Sequence, residues 1–308
     1  MKTLAQTLLK RPVWLYASVS ALAVVLMAAL SSLFAPQLQQ WEERLASRTW
    51  ALSDSSATER RVVVVDIDEK STQALGAWPW PRDRMAQLLN GLDAYGVNLK
   101  VVDVLFDGEQ NAAQDAKLVE ALQANKAPTV ISQLFALSQE TQVKSGQLAG
   151  AMDLGAASNA PSNTACPASS TQAFGFMAAA PIFAQSTQAV GHITPVVDPD
   201  GNIRRVPAVV CYEGKAYPAL AVAGLSAATG AQPIIKAAPG FMQSGQVLDV
   251  GGLQIPVDAK GQLRVSYQMP RSGFVSVSAV DVIQGKVPAN MLKGTWALVG
   301  STEFGGGD

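Results

Sequence analysis

"RVVVVDIDEKSTQALGAWPWPRDRMAQLLNGLDAYGVNLKVVDVLFD", residues 61–107, decides the fold class. Its first eight residues are a β-branched run ending in Asp-x-Asp, the composition of a strand covered on both faces. Pro79 and Pro81 carry no N–H, so the Trp-Pro-Trp-Pro segment is no interior strand. Proline also pushes the residue before it out of the α-region, so Trp78 and Trp80 are expected to be extended. Pro81 has the fixed φ that suits the first turn of a helix. Behind it Met85, Leu88, Leu89 and Leu92 share one helical face, and Gly96 supplies the stop. "LKVVDVLF", residues 99–106, then reads as a second buried strand. Strand, helix, strand makes a βαβ unit, and with it a parallel sheet with right-handed crossovers.

The pattern continues outward. Residues 111–125 form an amphipathic helix and 127–135 a third strand. Residues 138–171 are rich in Ser, Ala, Gly and Asn, a loop of a length usually functional or disordered. A helix is expected over 178–185 and another over 217–228. "VDPDGNIRRV" and "VDAKGQLRVS" share Val-Asp-x-x-Gly-x-hydrophobic-Arg and read as two similar β-hairpins. A short helix in "VSAVDVIQG" and a buried strand, "TWALVGST", follow. The expectation is an α/β fold: a mostly parallel sheet flanked by helices, with β-hairpin additions. The sequence ends at "EFGGGD" directly after a core-like strand, which predicts further segments beyond it.

The chain has 308 residues and a net charge of −1, without a basic run or an acidic tail, and this excludes a nucleic-acid partner. Leu15–Phe34 is free of charge and, at about 30 Å as a helix, long enough to cross a bilayer. Lys2, Lys10 and Arg11 precede it, and the next basic residue is Arg44. The positive-inside rule puts the N-terminus in the cytoplasm and residues 36–308 in the periplasm, with the inner membrane between. A cleaved signal peptide is the alternative; its apolar region is usually shorter, about 7–15 residues. The organisation expected is a cytoplasmic N-terminus (1–12), one transmembrane helix (13–35), a helical stalk (36–60) and an exported domain (61–308). In an exported domain Cys166 and Cys211 can form a disulfide; two free thiols are the other reading.

Ligands of open parallel sheets sit outside the carboxyl ends of the strands. Asp66 and Asp68 end the first strand, Asp103 lies in the second and Asp107 just follows it. Consecutive strands are expected to be neighbours, so these carboxylates would share one rim with Trp78, Trp80 and Arg82 beside them. Such a site offers acids for a cation or an amine, and rings for stacking; a divalent cation at Asp66, Asp68 and Asp103 is one reading. The structural alternatives are turn or N-cap roles for Asp68 and Asp107 and core packing for the tryptophans. Arg82 could equally form a structural ion pair. His192, the one histidine, lies in the strand-like "VGHIT" and reads as structural. The Asp-x-Asp strand is similar to the first motif of haloacid-dehalogenase-type phosphatases, but Lys70 stands where they carry Thr or Val and no later acid pair follows. No enzyme activity is expected.

The apolar span followed by "VVVVDIDEKSTQALGAWPWPRDR", "VVDVLFD", "VGHITPVVDPDGNIRRVP" and "LKGTWALVGST" resembles the type-2 CHASE domain, the cyclase/histidine-kinase-associated sensory extracellular domain. The resemblance implies an extracytoplasmic sensor in bacterial signalling proteins, with a cyclase, phosphodiesterase or kinase output elsewhere. It brings His192 and Arg204 into the candidate ligand-binding set, and implies a small-molecule or ion signal without naming it. An envelope-protein interaction module is the competing reading, and a homodimer or an envelope protein is the expected partner.

Overall fold

The computed structural model describes residues 12–34, 41, 58–124, 126–152, 166, 170–198, 200–237, 246–258 and 260–302. The chain divides into two units, 1–55 and 56–308. In the first, α1 (Pro12–Leu33) is fully exposed from Tyr16 onward, and its Tyr16–Leu33 window has a mean hydropathy of 1.9. It is long and apolar enough to cross a membrane. Ser31 and Ser32 donate back to the carbonyls of Ala28 and Ala29, so their hydroxyls need no outside partner. The expected stalk lies outside the described residues, apart from Trp41 and residues 58–60.

The second unit begins with β1 (Glu59–Ile67), α2 (Glu69–Leu75), α3 (Arg82–Tyr95), β2 (Leu99–Val102), α4 (Ala112–Gln123) and β3 (Thr129–Ala136). Next come β4 (Lys144–Ser145), β5 (Thr171–Gln172), β6 (Gly175–Met177), α5 (Pro181–Ala184) and β7 (Ala189–His192). Then follow β8 (Val196–Val197), β9 (Ile203–Pro207), β10 (Val209–Tyr212), β11 (Lys215–Pro218) and α6 (Leu220–Thr229). β12 (Pro233–Ala237), β13 (Gln246–Val250), β14 (Leu253–Val257) and β15 (Gln262–Arg264) precede the closing β16 (Phe274–Ser278), α7 (Ala279–Ile283), α8 (Ala289–Leu292) and β17 (Trp296–Ser301).

The main sheet runs β16-β1-β17-β2-β3, all parallel, with β7 parallel to the first half of β3 and β6 antiparallel to the second half. The expectation that β1 and β2 are neighbours is corrected here: β17, from the far end of the chain, lies between them. It hydrogen-bonds Val62–Ile67 on one side and Leu99–Val102 on the other.

One face of the sheet carries nearly all the helices. Val63, Val65 and Ile67 of β1 pack there with Met85, Leu88, Leu89 and Leu92 of α3, with Leu118 and Leu122 of α4, and with Val282 of α7. The valine run of β1 is thus covered completely on one face only; Val62, Val64 and Asp66 on the other are half-buried. That second face is covered by α6 over β2, β3 and β7. The approach needs a glycine: a Cβ on Gly191 would lie 2.5 Å from the Leu220 backbone.

α3 forms as its sequence predicts. Pro81 is the N-cap, four leucine and methionine side chains point inward, and Gly96 closes the helix in the left-handed conformation at φ 72°. On α4, Asn111 caps the amides of Ala113 and Gln114. The 178–185 helix shortens to α5, and Tyr217 belongs to a strand rather than to the start of α6. The two motifs share a turn, Gly201 donating to Asp198 O and Gly261 to Asp258 O, both at 2.9 Å, but the expectation of two hairpins is corrected: β8 pairs with β9, whereas β14 and β15 belong to different sheets. The motifs stand side by side, with β9 antiparallel to β15. Cys166 and Cys211 form a disulfide that ties the region before β5 to the buried strand β10.

One charge sits in the middle of this core. Lys100 of β2 is fully buried beneath α3, and its Nζ donates to Asp93 Oδ1 at 2.6 Å. Burial pushes the lysine below its usual pKa, and the bond to Asp93 opposes that. Removing one partner leaves an uncompensated charge in low dielectric, which costs far more than the pair contributes. Asp93→Ala is therefore expected to destabilise the chain by about 3–5 kcal/mol. The double variant Asp93→Leu/Lys100→Met should recover most of that loss, as read by urea unfolding in detergent.

Candidate functional site

At the carboxyl end of the sheet the strand register sets a row of residues. Asp66 pairs with Ser278 on one side and Gly300 on the other, and Asp103 is next after the Val299–Val102 pair. Paired residues of parallel strands face the same way. Ser278, Asp66, Gly300 and Asp103 thus form one line across β16, β1, β17 and the end of β2, on the face opposite α3. Strands are about 4.8 Å apart, so the Asp66 and Asp103 Cα atoms stand about 10 Å apart with a glycine between them. A Cβ on Gly300 would meet only Asp103 Cβ, at 3.9 Å. Among the described residues nothing else comes within 4 Å of that point.

The two acids differ in state. Asp66 accepts from the Thr302 hydroxyl at 2.9 Å and its amide at 3.2 Å, which fixes the carboxylate to the end of β17. Asp103 donates its backbone N–H to Val299 O, and its carboxyl has no hydrogen-bond partner among the described residues. The residue reaches solvent, yet protein crowding around the carboxyl raises its pKa above the usual carboxylate value. A cationic group placed over Gly300 would relieve that penalty and meet both carboxylates.

The other candidates have structural work. Asp68 is the N-cap of α2, accepting from the Ser71 amide and hydroxyl and from the Ser278 hydroxyl. Partial burial acts to raise its pKa, but these hydrogen bonds together hold it below the usual value. It leaves no free oxygen for the cation site drawn from the sequence. Among the described residues no group of three or more His, Cys, Asp or Glu side chains is placed to hold a metal ion. Of the three acids read as a cation set, Asp66 and Asp103 have β17 between them and Asp68 is engaged as the cap of α2.

The Trp-Pro-Trp-Pro-Arg segment packs Trp80 and Arg82 inward and leaves Trp78 half-buried. Trp80 is 1% exposed, and its Nε1 donates to Gly76 O at 2.8 Å. Trp78, joined to Pro79 by a cis peptide, is half-buried and stacks edge-on against Trp80 at 6.0 Å. Arg82 is 3% exposed, with its guanidinium over the rings of Phe106 and Phe183 at 5.1 and 5.6 Å. Its Nη2 donates to Asp107 O at 3.2 Å, while the Asp107 side chain stays exposed. Burial lowers the arginine pKa against the pull of Asp107 and Asp115. Arg82 therefore braces the loop after β2 from inside the core.

His192 and Arg204 are likewise engaged. Arg204 donates to Asp198 and, through both terminal nitrogens, to Asp200, which locks the first hairpin turn. His192 is 1% exposed, accepts from the Thr194 amide on Nδ1 at 3.3 Å and packs edge-on against Phe135. The proton then resides on Nε2, which has no partner among the described residues. Burial pushes its pKa down from 6.5 to about 3. The sequence signals for Gly300 and Thr302 were only the "VGST" run. Nothing in it tells where β17 inserts.

The His192 environment predicts a pH dependence. Between its folded and unfolded pKa values the unfolded chain binds the extra proton, so stability is fully present above about pH 6.5 and falls as the pH drops towards 3. The slope from this residue approaches about 1.4 kcal/mol per pH unit. His192→Gln is expected to flatten the unfolding free energy against pH by that amount across the window, measured by chemical denaturation relative to the parent chain.

The family model for the CHASE2 domain matches residues 20–308. No curated protein and no solved structure matches the chain. The matched region takes in the whole sheet, both turn motifs and β17, and the family's members are sensory extracellular domains of signalling proteins. This chain therefore belongs to the CHASE2 domain family.

Proposed function

We propose that this chain is the input domain of a membrane-anchored bacterial signalling protein, and that it perceives a small molecule bearing a cationic or hydrogen-bond-donating group. In this reading α1 crosses the inner membrane and residues 36–308 stand in the periplasm. The binding place is the carboxyl rim, and the observation that carries it is the Asp66–Gly300–Asp103 row. Two carboxylates flank an open position, one of them anchored and the other left without a partner among the described residues. The spacing suits an ammonium, a guanidinium or a hydrated ion better than a metal held directly by protein oxygens.

The row joins β1, β17 and the end of β2, so a ligand there would contact the two strands nearest the N-terminus together with the last one described. A ligand changes output only through its differential affinity for two conformations, and a site spanning three strands offers that leverage. The chain itself acts without catalysis, and passes the signal to a cytoplasmic cyclase, diguanylate cyclase or phosphodiesterase, or kinase output. An envelope partner has one observation in its favour: Val197, Ile203 and Tyr267 form an exposed apolar patch at the first hairpin, with Tyr267 Oη donating to Ile203 O.

A thermal-shift and calorimetric screen of amines, guanidines, polyols and divalent cations against the full chain tests the reading. Asp66→Asn and Asp103→Asn are each expected to weaken a responding compound by at least about tenfold, the loss of one charge-assisted hydrogen bond. Asp107→Asn should leave it unchanged. Responses that all survive the Asp66→Asn/Asp103→Asn double variant would place the signal elsewhere.

A further inference from the structure

Parallel strands share one direction, so the residues that precede each strand of the main sheet gather at a single end. Arg60 stands at the start of β1, Lys126 ahead of β3, Arg271 ahead of β16, and Lys286 and Lys293 in the turns on either side of α8, ahead of β17. All five are exposed, and none has a carboxylate partner among the described residues. Local contacts tie them to this rim. Val287 N donates to Tyr95 Oη, and Gly294 N donates to Gly96 O at 2.8 Å. The stem of Lys293 lies over Gly96, and the charge of Lys126 is felt at Lys100. Of the acids at this end, Glu59 is taken up by Arg61 at 2.6 Å and Glu120 lies on the last turn of α4.

The opposite rim is acidic. Asp66, Asp68, Glu69, Asp103, Asp107 and Glu109 follow β1 and β2, and Lys70, the cation among them, is tied to Asp281. A net charge of −1 therefore conceals two poles, one at each end of the sheet. β1, the first strand of this unit, starts on the basic pole at Glu59.

We propose that this amino rim is a docking surface for the anionic phospholipid headgroups of a bilayer, which turns the acidic carboxyl rim away from the membrane. Carbonyl ends of α3 and α4 point to the basic rim and by themselves repel phosphate, so the lysines and arginines must supply the attraction. A cation close to an anionic membrane contributes on the order of 1 kcal/mol, and the attraction fades within a Debye length. Five such cations on one rigid sheet bias orientation strongly at low salt and weakly at high salt. The proposal does not depend on what the carboxyl rim binds.

The test places the full chain in lipid nanodiscs of phosphatidylcholine, alone or mixed with phosphatidylglycerol, and follows backbone hydrogen exchange. Amides of Lys126, Ala127 and the non-proline residues of 284–296 should exchange several-fold more slowly in the anionic discs at low salt, and the difference should vanish at high salt. Lys126→Glu/Lys286→Glu/Lys293→Glu should abolish it, whereas Lys215→Glu, on β11, should not. Circular dichroism confirms that both variants remain folded, and the milder Gln triple variant reports the same trend. Equal exchange in the two lipids overturns the proposal. So does protection that resists salt or the triple variant, or that falls on residues 66–69 and 103–109 instead.

Discussion

The structure depends on the insertion of Trp296–Ser301 between β1 and β2. On the helix-covered face β1 presents Val63, Val65 and Ile67 and β2 presents Val102 beside Lys100, and each strand carries backbone donors and acceptors on one edge that have no partner until β17 arrives. The sheet centre is therefore completed by residues more than two hundred positions away in sequence from β1, as the bond from Ser301 to Ile67 shows at a separation of 234. Closing so large a loop before its contacts are rewarded is entropically costly and slows folding. The same insertion spaces Asp66 and Asp103 across a glycine instead of side by side.

Polar groups buried near that centre explain why the rim is well defined. Lys100 and Asp93 pin α3 to β2, and Arg82 extends from the first turn of α3 to the loop after β2. His192, whose Nε2 has no partner among the described residues, lies on the outermost parallel strand beside Phe135. Each is costly to bury alone, and a shift in packing that exposed one partner would leave the other uncompensated. Interiors of this kind favour two discrete arrangements over gradual deformation.

Charge follows topology in the same molecule. Parallel strands with the helices on one face send every strand start to one end and every strand end to the other. Lysines and arginines that look scattered in the sequence then collect at the first end, and aspartates at the second. The net charge near zero says nothing about these two poles.

Much of the local structure was legible in residues 61–107. The β-branched run, the proline at the start of α3, its leucine face and the left-handed Gly96 are decided by side-chain shape and backbone dihedral limits within a few residues. The matching turns at Asp198–Gly201 and Asp258–Gly261 were legible for the same reason, since Asp and Gly at fixed offsets encode a turn by themselves, whereas the pairing of β15 with β9 instead of β14 was not. Sequence also set the apolar length of α1. It did not decide which strand neighbours which, because hydrogen-bond pairing between distant strands leaves no local mark. That tertiary choice moved Trp80 and Arg82 into the core, made Asp68 a cap held by Ser278 from β16, and left Asp66 and Asp103 facing each other across Gly300. Burial and pairing are properties of the assembled sheet, and only the assembled sheet separates a structural acid from one free to bind.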